Sequence, residues 1–222
     1  MQTKFERETG AGIIEGPTKA RRPLLRMDRR AAARRLRLSV DSLRIHDIRI
    51  VDGDLVLRPM TEDDWPLVEA WNADPEILYF VEGDDVAPRP TDEVRAIYRH
   101  VSRTALMFII EVGGRGAGEC WLPDMNLPRL LERLPGQDVR RIDLMIGDRS
   151  QWNRGYGTRA IRLLTRLGFE QGADAIFGCD IADYNPRSQA AFENAGYSVY
   201  EVRVAPGPKG RRRSYDVIAW RA

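Results

Sequence analysis

Apolar positions recur along the chain in two rhythms. The run Gly53-Asp54-Leu55-Val56-Leu57-Arg58-Pro59 alternates and stops at a proline, which predicts a strand over residues 53–59. Thr61-Glu62-Asp63-Asp64 then has the spacing of a capping box ahead of Leu67, Val68 and Trp71. Pro66 lacks an N–H, so that helix begins or bends there. Val94, Ile97, Tyr98 and Val101 recur at i, i+3, i+4 and i+7, a second helix for which Thr91 is the expected cap. Two apolar runs, 105–112 and 117–122, flank Gly113-Gly114-Arg115-Gly116 and read as a β-hairpin. Residues 123–138, with three prolines, read as a loop or short helix. Beyond them come a strand over 140–147, a helix over 157–170, a strand over 174–181 and a helix over 186–195. Consecutive β-α-β units predict a parallel pair joined by a right-handed crossover. Alternation at 197–204 and 214–220 adds two closing strands about Pro206-Gly207-Pro208-Lys209-Gly210.

One turn in this order carries chemistry. Ser150-Gln151-Trp152-Asn153-Arg154-Gly155-Tyr156-Gly157-Thr158 lies between a strand and a helix start. A helix N-terminus has free N–H groups and the positive end of the helix dipole, which together suit a phosphate. Gly155 and Gly157 allow a pyrophosphate close to the backbone, and Arg154 adds a positive side chain. No Gly-Lys-Ser/Thr closes the loop, so it is not a Walker motif, and the third glycine of a dinucleotide fingerprint is missing. Taken alone, a Gly-x-Gly before a helix fits an ordinary tight turn as well.

Composition narrows the field. Among 222 residues, 43% hydrophobic and 31% charged indicate a globular protein with a real core. No apolar run approaches a membrane span, and the N-terminus has no apolar signal core, so a cytoplasmic protein is expected. Two cysteines, Cys120 and Cys179, without a Cys-x-x-Cys, fit buried thiols. His46 and His100 make no familiar zinc spacing with them, so no metal is expected. Charge is split unevenly. Residues 1–44 carry 12 Lys/Arg against 5 Asp/Glu, whereas the remainder carries 23 against 28. Residues 1–45 are therefore expected to be a basic, flexible extension, and 46–222 a single mildly acidic domain that suits a cationic substrate. The arginines of 29–37 have no interleaved aromatics for base stacking, which argues against nucleic acid. Nothing in the sequence separates a monomer from a homodimer.

Strand, Gly-x-Gly helix, strand, the Asn185-Pro186-Arg187-Ser188 helix and Ala195-Gly196-Tyr197 resemble the core of the GNAT N-acetyltransferases over about residues 52–220. Within that superfamily, Asp54 to Arg58, Glu69-Ala70-Trp71, Arg141-Ile142-Asp143, Ser150-Gln151 and Gly155 to Thr158 are most similar to aminoglycoside 6'-N-acetyltransferases. The resemblance implies an α/β fold, with a central twisted, mostly antiparallel sheet, a splayed parallel strand pair and flanking helices. It implies acetyl-CoA as co-substrate and a primary amine on a small cationic molecule as acceptor. Trp152, Asn153, Arg154, Gly155, Tyr156, Gly157 and Thr158 would hold the pyrophosphate, with Asn185 and Arg187 nearby. Backbone groups of Leu144 and Ile146 would pair the pantetheine amides. Asp143 would attract the amine and accept its proton, while Asp180, Trp121 and the acidic stretch Glu82, Asp84 and Asp85 would face the substrate. Two positions depart from the pattern. Trp152 stands where many relatives have Gln or Arg, and Phe192 stands where a Tyr commonly acts as general acid. Tyr184 or water is left to serve as acid. Alternatives are a siderophore-pathway or protein amine acetyltransferase, and a non-catalytic CoA-binding module with a basic arm.

Overall fold

The structure, a computed structural model, describes residues 42–83, 87–207 and 210–221. Among the described residues, nine strands form two sheets. The first has the order β1-β2-β3-β4-β6 and the second β5-β7-β9-β8. The strands are β1 Ile50–Asp52, β2 Leu55–Pro59, β3 Ala105–Val112, β4 Arg115–Pro123, β5 Val139–Arg141, β6 Asp143–Ile146, β7 Ala175–Ala182, β8 Ser198–Gly207 and β9 Gly210–Trp220. The helices are α1 Trp65–Ala73, α2 Pro75–Val81, α3 Thr91–Val101, α4 Pro128–Leu131, α5 Tyr156–Glu170 and α6 Pro186–Asn194. β1 precedes the first strand expected from the sequence, and α2 occupies a stretch for which no helix was expected.

The run expected as one strand over 140–147 is divided between the sheets. β5 pairs with β7 in parallel, Arg141 opposite Phe177, whereas β6 pairs antiparallel with β4, Asp143 opposite Trp121. The last link to β7 is the bond from the Ile142 N–H to the Phe177 carbonyl at 2.8 Å. After it the two sheets diverge, leaving one edge of β6 facing an opening. The close approach of β4 and β6 depends on Gly118, where a Cβ would lie 2.2 Å from the Met145 carbonyl oxygen.

Both faces of the first sheet are covered, and alternation along its strands sorts two cores. Phe108, Ile110, Cys120 and Leu122 join Ala160, Ile161 and Leu164 of α5 on one face. Met107, Ile109 and Met145 join Trp65, Val68, Trp71, Val94 and Tyr98 of α1 and α3 on the other. A third cluster, around Leu130, Phe177 and Ile218, lies under α4 on the second sheet.

Local signals explain most helix starts. The capping box at Thr61 is present, but it opens a 3₁₀ turn over Glu62–Asp64, and the α-helix follows from Trp65 with Pro66 in its first turn. Thr91 is not the cap of α3: it is the first helical residue, and Pro90 precedes it. Gly113 and Gly114 both have positive φ, 57° and 77°, as a two-residue hairpin turn requires. Packing reaches back to Leu43, which is buried and whose N–H donates to Glu62 at 2.8 Å. Leu43, on the other side of the boundary drawn at 46 from charge, therefore packs on the domain.

Candidate functional site

The opening between β6 and β7 continues into a cavity of about 490 Å³, lined by α2, β6, the 151–158 turn and the start of α6. Of the residues expected to hold a pyrophosphate, Trp152, Asn153, Gly155, Tyr156, Gly157 and Thr158 line it, as do Asn185 and Arg187. Two helix N-termini therefore point at one cavity, α5 from the glycine turn and α6 from Asn185. Gly155 sits at φ 83° as the residue that caps the start of α5, and a Cβ there would meet nothing within 4 Å, so the turn leaves room for a ligand against its backbone. Asn153 is also left-handed, at φ 60°. Arg154 stacks over Tyr156 at the rim, 5.8 Å from the ring centroid, and donates to Gln151.

Side chains from distant segments brace this turn. The Tyr156 hydroxyl donates to Asp54 at 2.7 Å, which lifts the phenol above its ordinary pKa, and Arg159 pairs with Asp52 and Asp54. The Tyr156 ring is thus turned back to the β1–β2 turn while its backbone stays at the cavity. Arg187 lies between Phe80 and Trp152, its guanidinium carbon 4.1 and 3.8 Å from the two ring centroids. Such stacking holds the charge at the cavity wall without neutralising it. The Asn185 side chain accepts from the Ser188 N–H and donates to the Phe80 carbonyl, tying α6 to α2. No sequence pattern connects Phe80 with Arg187.

On β6, Leu144 and Ile146 line the cavity, with one edge of the strand taken by β4. The Ile146 carbonyl already accepts the Trp152 indole N–H at 2.7 Å. Trp152 is thereby tied to β6, with its ring against Phe80 and Arg187.

Asp143 stands where β5 gives way to β6. Its side chain is 35% exposed and lies 3.0 Å from Arg141. Oδ2 is the oxygen that faces the Arg141 guanidinium, and it is sealed from solvent. Desolvation of that sealed oxygen raises the Asp143 pKa, and the charge of Arg141 opposes the rise. Beside it is a residue that sequence reading did not single out. Glu119 projects from β4 on the same face as Trp121, Asp143 and Met145, and is only 5% exposed. Tyr98 donates to its Oε1 at 2.5 Å, and Asn72 donates to the Tyr98 oxygen at 2.9 Å. Burial pushes the Glu119 carboxyl up to about 8, opposed by hydrogen bonding from Tyr98 and assisted by the negative charge of Asp143. The Trp121 indole N–H is near enough to favour the carboxylate, but it is not aligned for a bond and has no other partner.

Other expected substrate contacts are distributed differently. Trp121 stacks edge-on against Tyr98 at 4.9 Å, part of the α1–α3 core wall. Glu82, at the end of α2, pairs with Arg89 at 2.6 Å. Asp84 and Asp85 lie outside the described residues. Asp180 occupies a bulge in β7 at φ 56°, where its N–H donates to the buried Asp216 and its carboxylate is paired with Arg129 and Arg203. Its charge is therefore already compensated by two arginines. Phe192 is buried against Gly178 and Tyr197 as a core ring. Tyr184 packs on Tyr79 at 5.0 Å, with Arg212 over its ring. Among the described residues, no cluster of His, Cys, Asp and Glu is arranged for a metal ion, and no helix is long and apolar enough to cross a membrane.

Solved structures with this architecture include acetyltransferases. A crystal structure of aminoglycoside acetyltransferase AAC(6')-Ib with coenzyme A superposes with a TM-score of 0.61 at 22% identity, covering 75% of this chain and 95% of that one. Spermidine N-acetyltransferase from Vibrio cholerae, with CoA and spermine, gives 0.62 at 15% identity over 76% and 96% of the two chains. An acetyltransferase of the GNAT family from Bacillus anthracis gives 0.61 at 16% identity over 78% and 98%. At these identities the likeness speaks to the fold alone. Residues 54–198 match the acetyltransferase (GNAT) domain itself, and with the split strand and the glycine turn at the cavity this makes the chain a member of the GNAT acetyltransferase family.

Proposed function

We propose that the protein transfers the acetyl group of acetyl-CoA to a primary amine of a small cationic molecule, with an aminoglycoside 6'-amine as the leading candidate. The observation that carries this reading is the position of Asp143 at the point where β5 gives way to β6, one residue before Leu144, which lines the cavity of the glycine turn. Thioester and amine would meet at that point. The N–H groups at the starts of α5 and α6, with Arg187 held between two rings, would bind the phosphates. The free edge of β6 at Leu144 would pair the pantetheine arm. Asp143 would hold the ammonium and take its proton, which frees the nitrogen lone pair to attack the thioester carbon. Phe192 has no proton to give, so the thiolate would leave unprotonated or be protonated by water.

The aminoglycoside reading is supported by the sequence features shared with those enzymes and by a neighbouring structure of AAC(6')-Ib with ribostamycin and coenzyme A. A polyamine is the second reading. The Vibrio cholerae neighbour holds spermine, and pairing of Asp180 and Glu82 with arginines leaves fewer free carboxylates for a multiply charged sugar. Release of free thiol from acetyl-CoA, measured with ribostamycin, kanamycin, spermidine and a lysine peptide, tests both. Turnover of an aminoglycoside supports the first reading and turnover of only the polyamine supports the second. No thiol release with any amine, together with no CoA binding in calorimetry, would refute acetyl transfer.

A further inference from the structure

Four polar atoms among the described residues are inaccessible and close to the split between β5 and β6: Glu119 Oε2, Trp121 Nε1 and Arg141 Nε have no hydrogen-bond partner, and Asp143 Oδ2 has only the Arg141 guanidinium, at 3.0 Å. Three of them lie on one face of one strand pair, because 119 and 121 alternate with 120 on β4 and Asp143 is the register partner of Trp121. Side chains diagonal to one another on such a pair approach within contact of long groups. An orphaned buried oxygen is expensive, and a charged one more so, unless the group is neutral or has work elsewhere. Tyr98 and Asn72 occupy only the other oxygen of Glu119. The groups facing Glu119 are Tyr98 from α3, whose own environment includes Arg89, and Asp143 with Arg141 from the β5–β6 strand. None of them is a cation bonded to Glu119.

We infer that Glu119 is a positioning residue behind Asp143, and that the two carboxylates, diagonal to one another on one face of β4 and β6, act as an electrostatically coupled pair, with the charge on Glu119 setting how strongly Asp143 takes the proton of the acceptor amine. This rests on the acetyl-transfer reading for its chemistry. The amine arrives as R–NH₃⁺ and gives one proton to Asp143. Its nitrogen lone pair then forms the C–N bond to the thioester carbon as the C–S bond breaks. The sulfur leaves with that electron pair, and the second N–H proton ends on it or in water. Asp143 returns its proton to solvent through its exposed side, so each turnover releases one proton. When Glu119 is protonated, Asp143 alone carries charge and holds the ammonium as a weak base. When Glu119 ionises, two like charges crowd the face and Asp143 becomes the stronger base.

The kinetic test compares kcat/KM for the parent and Glu119→Gln across pH, using any amine that the parent acetylates. Gln keeps an oxygen for the Tyr98 hydroxyl. Deprotonation of the amine itself affects both proteins alike and cancels in the ratio. The parent-to-variant ratio should climb roughly tenfold between about pH 6.5 and pH 9, and a ratio that does not change with pH overturns the proposal. A second measurement needs no substrate, so it stands if the acetyl-transfer reading fails. Infrared titration of the resting protein should show a protonated carboxylic acid at neutral pH that is absent in Glu119→Gln. Its midpoint should fall in Asp143→Asn, which removes the neighbouring charge, and rise in Tyr98→Phe, which removes the hydrogen bond favouring the carboxylate. A midpoint that stays put in Asp143→Asn means the two carboxylates are not coupled, and the inference fails.

Discussion

Glu119→Gln should also stabilise the fold in alkaline solution. The folded protein keeps the Glu119 proton up to about pH 8, because burial outweighs its hydrogen bonds, whereas an unfolded glutamate loses it near 4.5. Between those values the native state binds one more proton than the unfolded state, so stability must fall as pH rises, by about 1.4 kcal/mol per pH unit. Across the window this amounts to roughly 5 kcal/mol, a large share of the 5–15 kcal/mol that holds an ordinary domain together. Glutamine has no proton to lose and still accepts from Tyr98, so the variant escapes this loss. Urea unfolding of both proteins at about pH 5, 6.5, 8 and 9 isolates the effect, since the other titrating groups are common to both. The advantage of the variant should be smallest at the acid end, grow through the neutral range and level off above pH 8. Parallel curves would refute the reasoning, and would mean that water reaches Oε2 and lets Glu119 ionise normally.

Four further outcomes follow from the site. Asp143→Asn keeps the shape of the side chain, and loss of a positioned base should lower kcat by roughly a hundredfold with acetyl-CoA affinity retained, as kinetics and calorimetry would show; a rise in KM at constant kcat would instead mean that Asp143 only holds charge. Gly157→Ala places a Cβ 3.4 Å from Leu144, ordinary contact, so CoA binding should survive in calorimetry, whereas Gly157→Asp adds a negative charge at the start of α5 and should abolish it. Arg187→Ala removes the cation held between Phe80 and Trp152, and should weaken CoA binding by about tenfold or somewhat more with little change in Tm. Removing residues 1–40 should leave Tm and CoA binding near those of the parent, whereas a further cut through Leu43 and Arg44 should lower Tm, because it strips a buried leucine and the bond from the Arg44 N–H to Ser102.

Sequence alone determined those parts of the protein whose signals are local. The strand β3 follows from a continuous apolar run, the hairpin from Gly113-Gly114, and the cavity turn from Gly155 and Gly157 before an amphipathic helix. What the tertiary structure decided concerns relations between segments. Periodicity reads 140–147 as one strand, and only competition between β4 and β7 for its two ends splits it at Ile142 and leaves Asp143 at the opening. Asp180 reads as an acid on a strand facing the site, but a bulge at φ 56° turns it to Arg129 and Arg203, which come from distant parts of the chain. Arg187 gains its aromatic clamp from α2 and the 149–152 turn, which no spacing connects. Glu119 is the sharpest case. In Gly118-Glu119-Cys120-Trp121-Leu122 a glutamate at an alternating position reads as the solvent side of a strand. It is buried because α5 covers one face of the sheet while α1 and α3 cover the other, and a pattern of residues along one strand carries no record of how many of its faces will be covered.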